Sequence, residues 1–178
     1  SSTLKNSEDI KKRLNISLMG INYDRKFVFS EAGFNFEPNE LGATFGLQQL
    51  LKFNKFQKTR NNNFNIHQKF FSKLNNYFIP IKINKKIKTN FLAYPIIIKK
   101  NEKFDRKRLQ IYLEKNNIQT RPIFSGNILR HPGFKNLINK KNKIKNFPNS
   151  DYIMRNGILI GCHQGLNNYQ LKYIHNKI

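Results

Sequence analysis

The sequence predicts an α/β fold, more closely an α+β small domain in which a mixed or antiparallel sheet carries packed helices. Three observations predict it. Short apolar runs rich in Ile, Phe and Tyr fall at residues 91–98, 118–124 and 158–162. Segments of helical periodicity lie between them, and the connections are short and dense in Asn, Gly and Pro. A chain of 178 residues can bury a real core, and it contains no internal repeat.

Taken in order, residues 10–19 predict a helix ending near Gly20, and residues 27–29 a short extended piece that leads into Gly33-Phe34-Asn35. Pro38 and Asn39 mark a helix start. From Asn39 a long helix is expected over 39–76, because Leu41, Phe45, Leu50, Phe56, Phe64, Phe71 and Leu74 trace a broken apolar stripe. Gly42, Ala43 and Gly46 thin its first turns, where another backbone could approach. Exposed apolar surface on this helix would point to a missing partner half. Residues 91–98 read as a strand, with Pro95 requiring an edge or a bulge. Asp105 caps a helix bearing Leu109, Tyr112 and Leu113, and Asn116-Asn117 stops it. Residues 118–124 form the second strand. Asn149 or Ser150 caps a short helix through Met154, residues 158–162 form the third strand, and Asn167 or Asn168 opens the last helix.

Composition excludes more than it identifies. The formal net charge is +23, which by itself invites a nucleic-acid partner. Lysine is nevertheless scattered over every segment in company with Asn, Ile and Phe, the mixture of an A+T-rich coding sequence. Runs such as 82–88 and 140–145 read as solvated loops, and no nucleic-acid partner is expected. A single cysteine, Cys162, rules out an intrachain disulfide framework and favours a reducing compartment. No apolar run is long enough to span a bilayer and no signal peptide is recognisable, so a cytoplasmic protein without a membrane partner is expected. His67, His131, His163 and His175 lack ligand spacing and Cys162 has no second thiol nearby, so no metal is expected either.

The densest motif is QTRPIFSGNILRHP, residues 119–132. Pro122 biases Arg121 toward extended backbone and leaves its planar fork of donors free for a phosphate or carboxylate. Gly126-Asn127 reverses the chain, since Gly accepts positive φ and Asn tolerates it. The two would set Arg121 and the Asn127 amide on one rim, with Arg130 and His131 alongside. Arg121 as a surface ion-pair partner and Asn35 as an ordinary turn residue are the plainer alternatives.

Together with two further segments this motif resembles the pyridoxal-phosphate-dependent nucleotide-sugar aminotransferases and 3-dehydratases of fold type I. Residues 26–50, KFVFSEAGFNFEPNELGATFGLQQL, resemble the family's Gly-Tyr-Asn loop and the small-residue helix after it. Residues 149–164, NSDYIMRNGILIGCHQ, resemble the closing helix and strand of its small domain. The RPI-x-x-GN pattern and the Gly-x-His-Gln ending lie nearest the branch that removes the 3-hydroxyl of a 4-keto-6-deoxy sugar.

The resemblance implies a pyridoxal 5'-phosphate cofactor, a nucleotide-linked 4-keto sugar as substrate, an amino donor such as glutamate and a homodimer. It assigns Asn35 to the phosphate of the neighbouring subunit's cofactor, and Glu37, Arg121, Gly126, Asn127 and His163 to the substrate. Glu37 departs from the family, in which this position is often Arg, and is either a solvated helix-start residue that favours the positive end of the dipole or one that alters substrate choice. No catalytic residue is expected in this chain. The family's Lys or His, with its Glu-Gly-Gly run, would lie just before residue 1, so that these residues alone are catalytically silent. Residues 1–38 would then end the large cofactor domain, 39–76 form a connecting helix and 77–178 the small domain. The branch with an iron–sulfur cluster needs several cysteines before the Gly-Tyr-Asn loop, and residues 18–29 hold none. A sugar aminotransferase is the alternative within the family. Outside it stand a basic nucleic-acid-binding module and a non-catalytic interaction or dimer-forming unit.

Overall fold

A computed structural model describes residues 9–33, 39–79, 81–84, 86–101, 103–139 and 143–178. Asn35, Glu37 and Pro38 lie outside the described residues.

The opening segment corrects the expectation of a helix over residues 10–19. Helix α1 spans only Ile10–Arg13, capped by the Asp9 carboxylate on Lys11 N–H, and the chain then turns into a hairpin of β1 (Ile16–Leu18) and β2 (Ile21–Tyr23). The connecting pair, Met19 and Gly20, has φ of 52° and 84°, the two positive values that a tight hairpin turn with strand-matching twist requires. Burial decides the outcome: Leu18, Ile21 and Tyr23 pack with Met154, which a continued helix could not bring to one face. Residues 25–27 form a 3-10 turn capped by Asp24, so that of the extended piece expected over 27–29 Phe27 belongs to the turn and the chain is extended only from Val28.

The expected single helix over 39–76 is two. Helix α2 (Glu40–Leu50) starts where Asn39 Oδ1 accepts from Gly42 N–H at 2.6 Å, and α3 (Phe53–Ser72) follows after a break at Leu51 and Lys52. The apolar stripe divides at that break. Phe64 and Phe71 of α3 are buried, whereas Leu41, Phe45 and Leu50 of α2 are 85 %, 67 % and 66 % exposed.

The remaining elements build one four-stranded sheet: β3 (Phe78–Ile79), β4 (Ala93–Ile98), β5 (Thr120–Pro122) and β6 (Gly157–Gly161), in spatial order β3-β4-β6-β5, every neighbouring pair antiparallel. Pro95 is tolerated because β3 pairs only with Ile97 and Ile98, which leaves β4 a local edge at the proline. Helix α4 (Arg106–Lys115) is capped as expected, Asp105 accepting from Arg108 N–H at 2.7 Å. The second strand is shorter than expected, since Phe124 takes a φ of 48°. Helix α5 (Pro148–Asn156) is capped at Phe147, two residues before the expected cap Asn149 and three before Ser150, because proline supplies the helical φ at no cost in donors there. Helix α6 (Asn168–Asn176) opens on a reciprocal capping box between Asn167 and Gln170.

Alternation along the strands assigns two faces. Tyr94, Ile96, Ile98, Ile158 and Ile160 enter the core with Phe64 and Phe71 of α3, Leu109 and Leu113 of α4, and Ile174 of α6. Arg121 and Leu159, paired across β5 and β6, occupy the opposite, half-buried face. Among the described residues no helix is long and apolar enough to cross a membrane.

Candidate functional site

The end of the sheet nearest α6 opens into a cavity of about 400 Å³, whose lining includes Asn117, Gln119, Arg121, Leu159, His163 and Tyr173. Two of the residues singled out by sequence, Arg121 and His163, therefore meet in one place. Arg121 Nη1 donates to the Thr120 carbonyl at 2.9 Å. The Gln119 amide, turned with its oxygen toward the guanidinium, accepts from Nη1 at 3.2 Å and from Nη2 at 2.5 Å. These local acceptors hold the fork in place without neutralising it, and no carboxylate is paired with it among the described residues.

His163 is exposed, and its Nδ1 accepts from Gly165 N–H at 3.1 Å. That bond fixes the neutral tautomer with the proton on Nε2, a donor free to meet a ligand. The loop carrying His163 is fastened to α3. His67 Nε2–H donates to the Gly161 carbonyl at 2.9 Å, Asn63 Nδ2 donates to the His163 carbonyl at 2.9 Å, and Arg60 Nε donates to Gln164 Oε1 at 2.7 Å. Asn63 and His67 are 2 % and 0 % exposed. Sequence reasoning missed these supports, although their spacing at residues 60, 63 and 67 lays them along one helix face. Burial in the same region pushes the Cys162 thiol up to about 12, which leaves it a buried apolar group and a poor nucleophile.

Gly126 and Asn127 do not join this cavity, so the expected common rim of Arg121 and Asn127 does not form. They line a separate cavity of about 270 Å³ beside Leu129, Leu137 and Phe147. The Asn127 amide is 3 % exposed and fully engaged: Oδ1 accepts from Leu129 N–H at 3.2 Å and Nδ2 donates to Asp151 Oδ1 at 2.7 Å. Arg130 grips the same carboxylate with two donors, one of them Nε at 2.7 Å, and holds it well below the usual carboxylate range. His131 is buried, accepting from Phe29 N–H on Nδ1 at 3.2 Å and donating from Nε2 to the Ser125 carbonyl at 2.6 Å. Asn127, Arg130 and His131 thus shape the turn. Among the described residues no group of three or more His, Cys, Asp or Glu could hold a metal ion.

The antiparallel sheet, backed by helices, thus carries at its end an arginine with no carboxylate partner among the described residues and an imidazole N–H, two donors suited to an oxygen acceptor. The chain belongs to the DegT/DnrJ/EryC1/StrS aminotransferase family, whose model matches residues 2–178. It is 28 % identical over 155 residues to the lipopolysaccharide biosynthesis protein RfbH of Salmonella typhimurium, covering 87 % of this chain and 35 % of that protein. Over 153 residues it is 29 % identical to the dTDP-4-dehydro-2,6-dideoxy-D-glucose 3-dehydratase of Saccharopolyspora spinosa, covering 85 % of this chain and 32 % of that one. Among solved structures it resembles the E. coli GDP-4-keto-6-deoxy-D-mannose-3-dehydratase with bound hydrated PLP. That match has a TM-score of 0.63 and 25 % identity, and covers 85 % of this chain and 38 % of the other. The chain spans about a third of the length of the curated relatives it matches.

Proposed function

We propose that this chain is part of a pyridoxal-phosphate-dependent nucleotide-sugar enzyme, a 4-keto-6-deoxyhexose 3-dehydratase of deoxysugar and lipopolysaccharide biosynthesis. The observation that carries the reading is the family match from residue 2 to residue 178, with relatives that include 3-dehydratases of dTDP-linked and GDP-linked sugars. In this reading the catalytic His or Lys lies upstream of Ser1, and the 178 residues alone are inactive. The bound cofactor supplies an electron sink for breaking a C–H bond and expelling the 3-hydroxyl. The part played by this chain is recognition. Arg121 binds the anionic portion of the nucleotide sugar, and His163 donates from Nε2 to a hydroxyl or phosphate oxygen. Gly126 and Asn127 shape the turn beside it. Asn35 donates to the cofactor phosphate of the neighbouring subunit, and Glu37 tunes substrate choice.

The assembly proposed is a cytoplasmic homodimer, with glutamate recharging the cofactor to its amine form. The bare apolar face of α2, carrying Leu41, Phe45 and Leu50 next to Gly42 and Gly46, supports an extensive protein contact there.

The test is turnover by the longer protein, supplied with pyridoxal phosphate, glutamate and a GDP- or dTDP-linked 4-keto-6-deoxyhexose, with the product identified by mass and NMR. Loss of the 3-hydroxyl is the expected result. A 4-amino sugar that keeps its 3-hydroxyl would make the protein an aminotransferase instead. No cofactor binding and no turnover would return the chain to a binding module.

A further inference from the structure

We propose that His67 is a positioning residue of the candidate site, fixing the His163 donor through the Gly161 carbonyl and tying it through His175 to α6. The inference rests on the substrate-binding role proposed for His163, and it supplies the means by which an exposed imidazole is held ready.

The cavity draws Gly161, His163 and Leu166 from the end of β6 and the loop after it, and Gln170, Tyr173 and Ile174 from α6. His175 follows Ile174 directly. Its Nε2 lies 3.0 Å from Nδ1 of His67, whose Nε2–H donates to the Gly161 carbonyl at 2.9 Å. Because that donation leaves Nδ1 of His67 an acceptor, the proton between the two rings belongs to His175. One buried side chain of α3 therefore joins both walls of the cavity. Neighbouring rings keep the pair from turning: Phe70 stacks on His175 with centroids 3.9 Å apart, and Tyr94 lies 5.2 Å from His67.

His163 needs such support because glycines flank it. A Cβ at Gly165 would stand 3.1 Å from its Nδ1 and 3.2 Å from its Cε1, and one at Gly161 would stand 3.7 Å from its Cδ2. The ring thus sits against two residues whose backbone has the most conformational freedom to lose. Asn63 and Arg60 fasten the His163 carbonyl and the Gln164 side chain to the same helix. His67 differs from both in being bonded through two ring nitrogens, once to the loop and once to α6. At 0 % exposure its bond to Gly161 meets no competition from water. A donor aimed before the ligand arrives reduces the ordering cost of binding, so the relay acts on affinity.

The test uses the longer protein with pyridoxal phosphate, glutamate and a GDP- or dTDP-linked 4-keto-6-deoxyhexose. Steady-state kinetics are combined with 15N-glycine NMR spectra, in which the Gly165 amide reports its bond to His163 Nδ1. His67→Leu should raise KM about tenfold, the worth of one lost hydrogen bond, with kcat changed less than about twofold and the Gly165 resonance moved upfield. His67→Gln, which keeps an N–H for the Gly161 carbonyl, should restore both readouts. His175→Phe keeps an aromatic ring against Phe70 but loses the donor, and should raise KM about threefold. Gly165→Ala is a surface change that crowds the His163 ring from the other side and should also raise KM about threefold, which keeps the proposal testable if His67→Leu does not fold. An unmoved Gly165 resonance in His67→Leu, or KM unchanged in both His175→Phe and Gly165→Ala, would overturn the proposal. Absence of turnover in the unsubstituted protein would instead refute the enzyme reading, and the Gly165 resonance would still decide whether His67 positions His163.

Discussion

His67 of α3 and His175 of α6 face each other with Nδ1 of the first 3.0 Å from Nε2 of the second. Because His67 must give its Nε2 proton to the Gly161 carbonyl, its Nδ1 is an acceptor and His175 is the donor. In this arrangement His67 is neutral, with its one proton on Nε2. His175 is further fixed by stacking on Phe70, with ring centroids 3.9 Å apart. Burial lowers the His67 pKa from 6.5 to about 4 and shifts His175 in the same direction.

The sign of the pH effect follows. Between the unfolded value near 6.5 and the folded value near 4 the unfolded chain binds more protons, so stability is complete above that window and declines as pH falls through it. The loss attributable to His67 should reach roughly 3 kcal/mol at the bottom of the window. Urea denaturation from pH 7 to pH 4 measures it, and His67→Gln should flatten the curve. An equally steep curve in that variant would refute the assignment.

Gly126 has φ of 62°, and a Cβ there would stand 2.5 Å from both Cβ and Cγ of Met154. Gly126→Ala combines backbone strain with overpacking and should cost about 2–4 kcal/mol. Adding Met154→Ala removes the Cγ contact but keeps the Cβ clash and the strained φ, so it should recover at most part of the steric cost. Full recovery in denaturant unfolding of the double variant would show that the positive φ carries no cost.

Arg13, Asp24 and Glu114 tie the first hairpin to α4. Arg13 Nη2 meets Glu114 Oε1 at 2.6 Å and its Nε lies 3.3 Å from Asp24 Oδ2, all three side chains being nearly or wholly buried. Glu114 also accepts from the Thr120 hydroxyl at 2.6 Å. Glu114→Ala leaves a buried guanidinium half-partnered and should cost about 3 kcal/mol, and Arg13→Met in the same background should restore part of it. An exposed-pair value below about 1 kcal/mol for Glu114→Ala would mean that water reaches the network.

Arg121 and Asn127 should separate cleanly by phenotype. On the proposed function, Arg121→Ala in the longer protein should raise the dissociation constant for a nucleotide sugar about tenfold or more, with the melting temperature nearly unchanged. Asn127→Ala should instead lower stability by about 1–2 kcal/mol, because it removes a turn cap and a partner of Asp151. Equal ligand affinity in Arg121→Ala would remove Arg121 from the site.

Much of this architecture was legible in the chain itself. The caps at Asn39, Asp105 and Asn167, the three apolar strand runs and the stop at Asn116-Asn117 are local signals, set by backbone sterics and hydrogen bonding within a few residues. Arg121 could be singled out for the same reason, its backbone being set by Pro122, whereas His163 was given by the family resemblance alone. Local signals misled at residues 10–19. There helical continuation and a hairpin are close in intrinsic preference, and burial of Leu18, Ile21 and Tyr23 on Met154, more than 130 residues away, decides between them.

The sequence by itself determined the class of fold and the order of elements from β4 onward, which rest on periodicity and capping, and its motifs carried the family resemblance. The tertiary structure alone decided which polar residues share a space. It brought Arg121 and His163 into one cavity, spent the Asn127 amide on Asp151, and left a nitrogen of Arg106 buried without a hydrogen-bond partner among the described residues. The physical reason is that a side chain's free valence depends on which distant groups packing delivers to it. Those groups are 24 residues away for Asn127 and 84 for Arg106, beyond the reach of any local pattern.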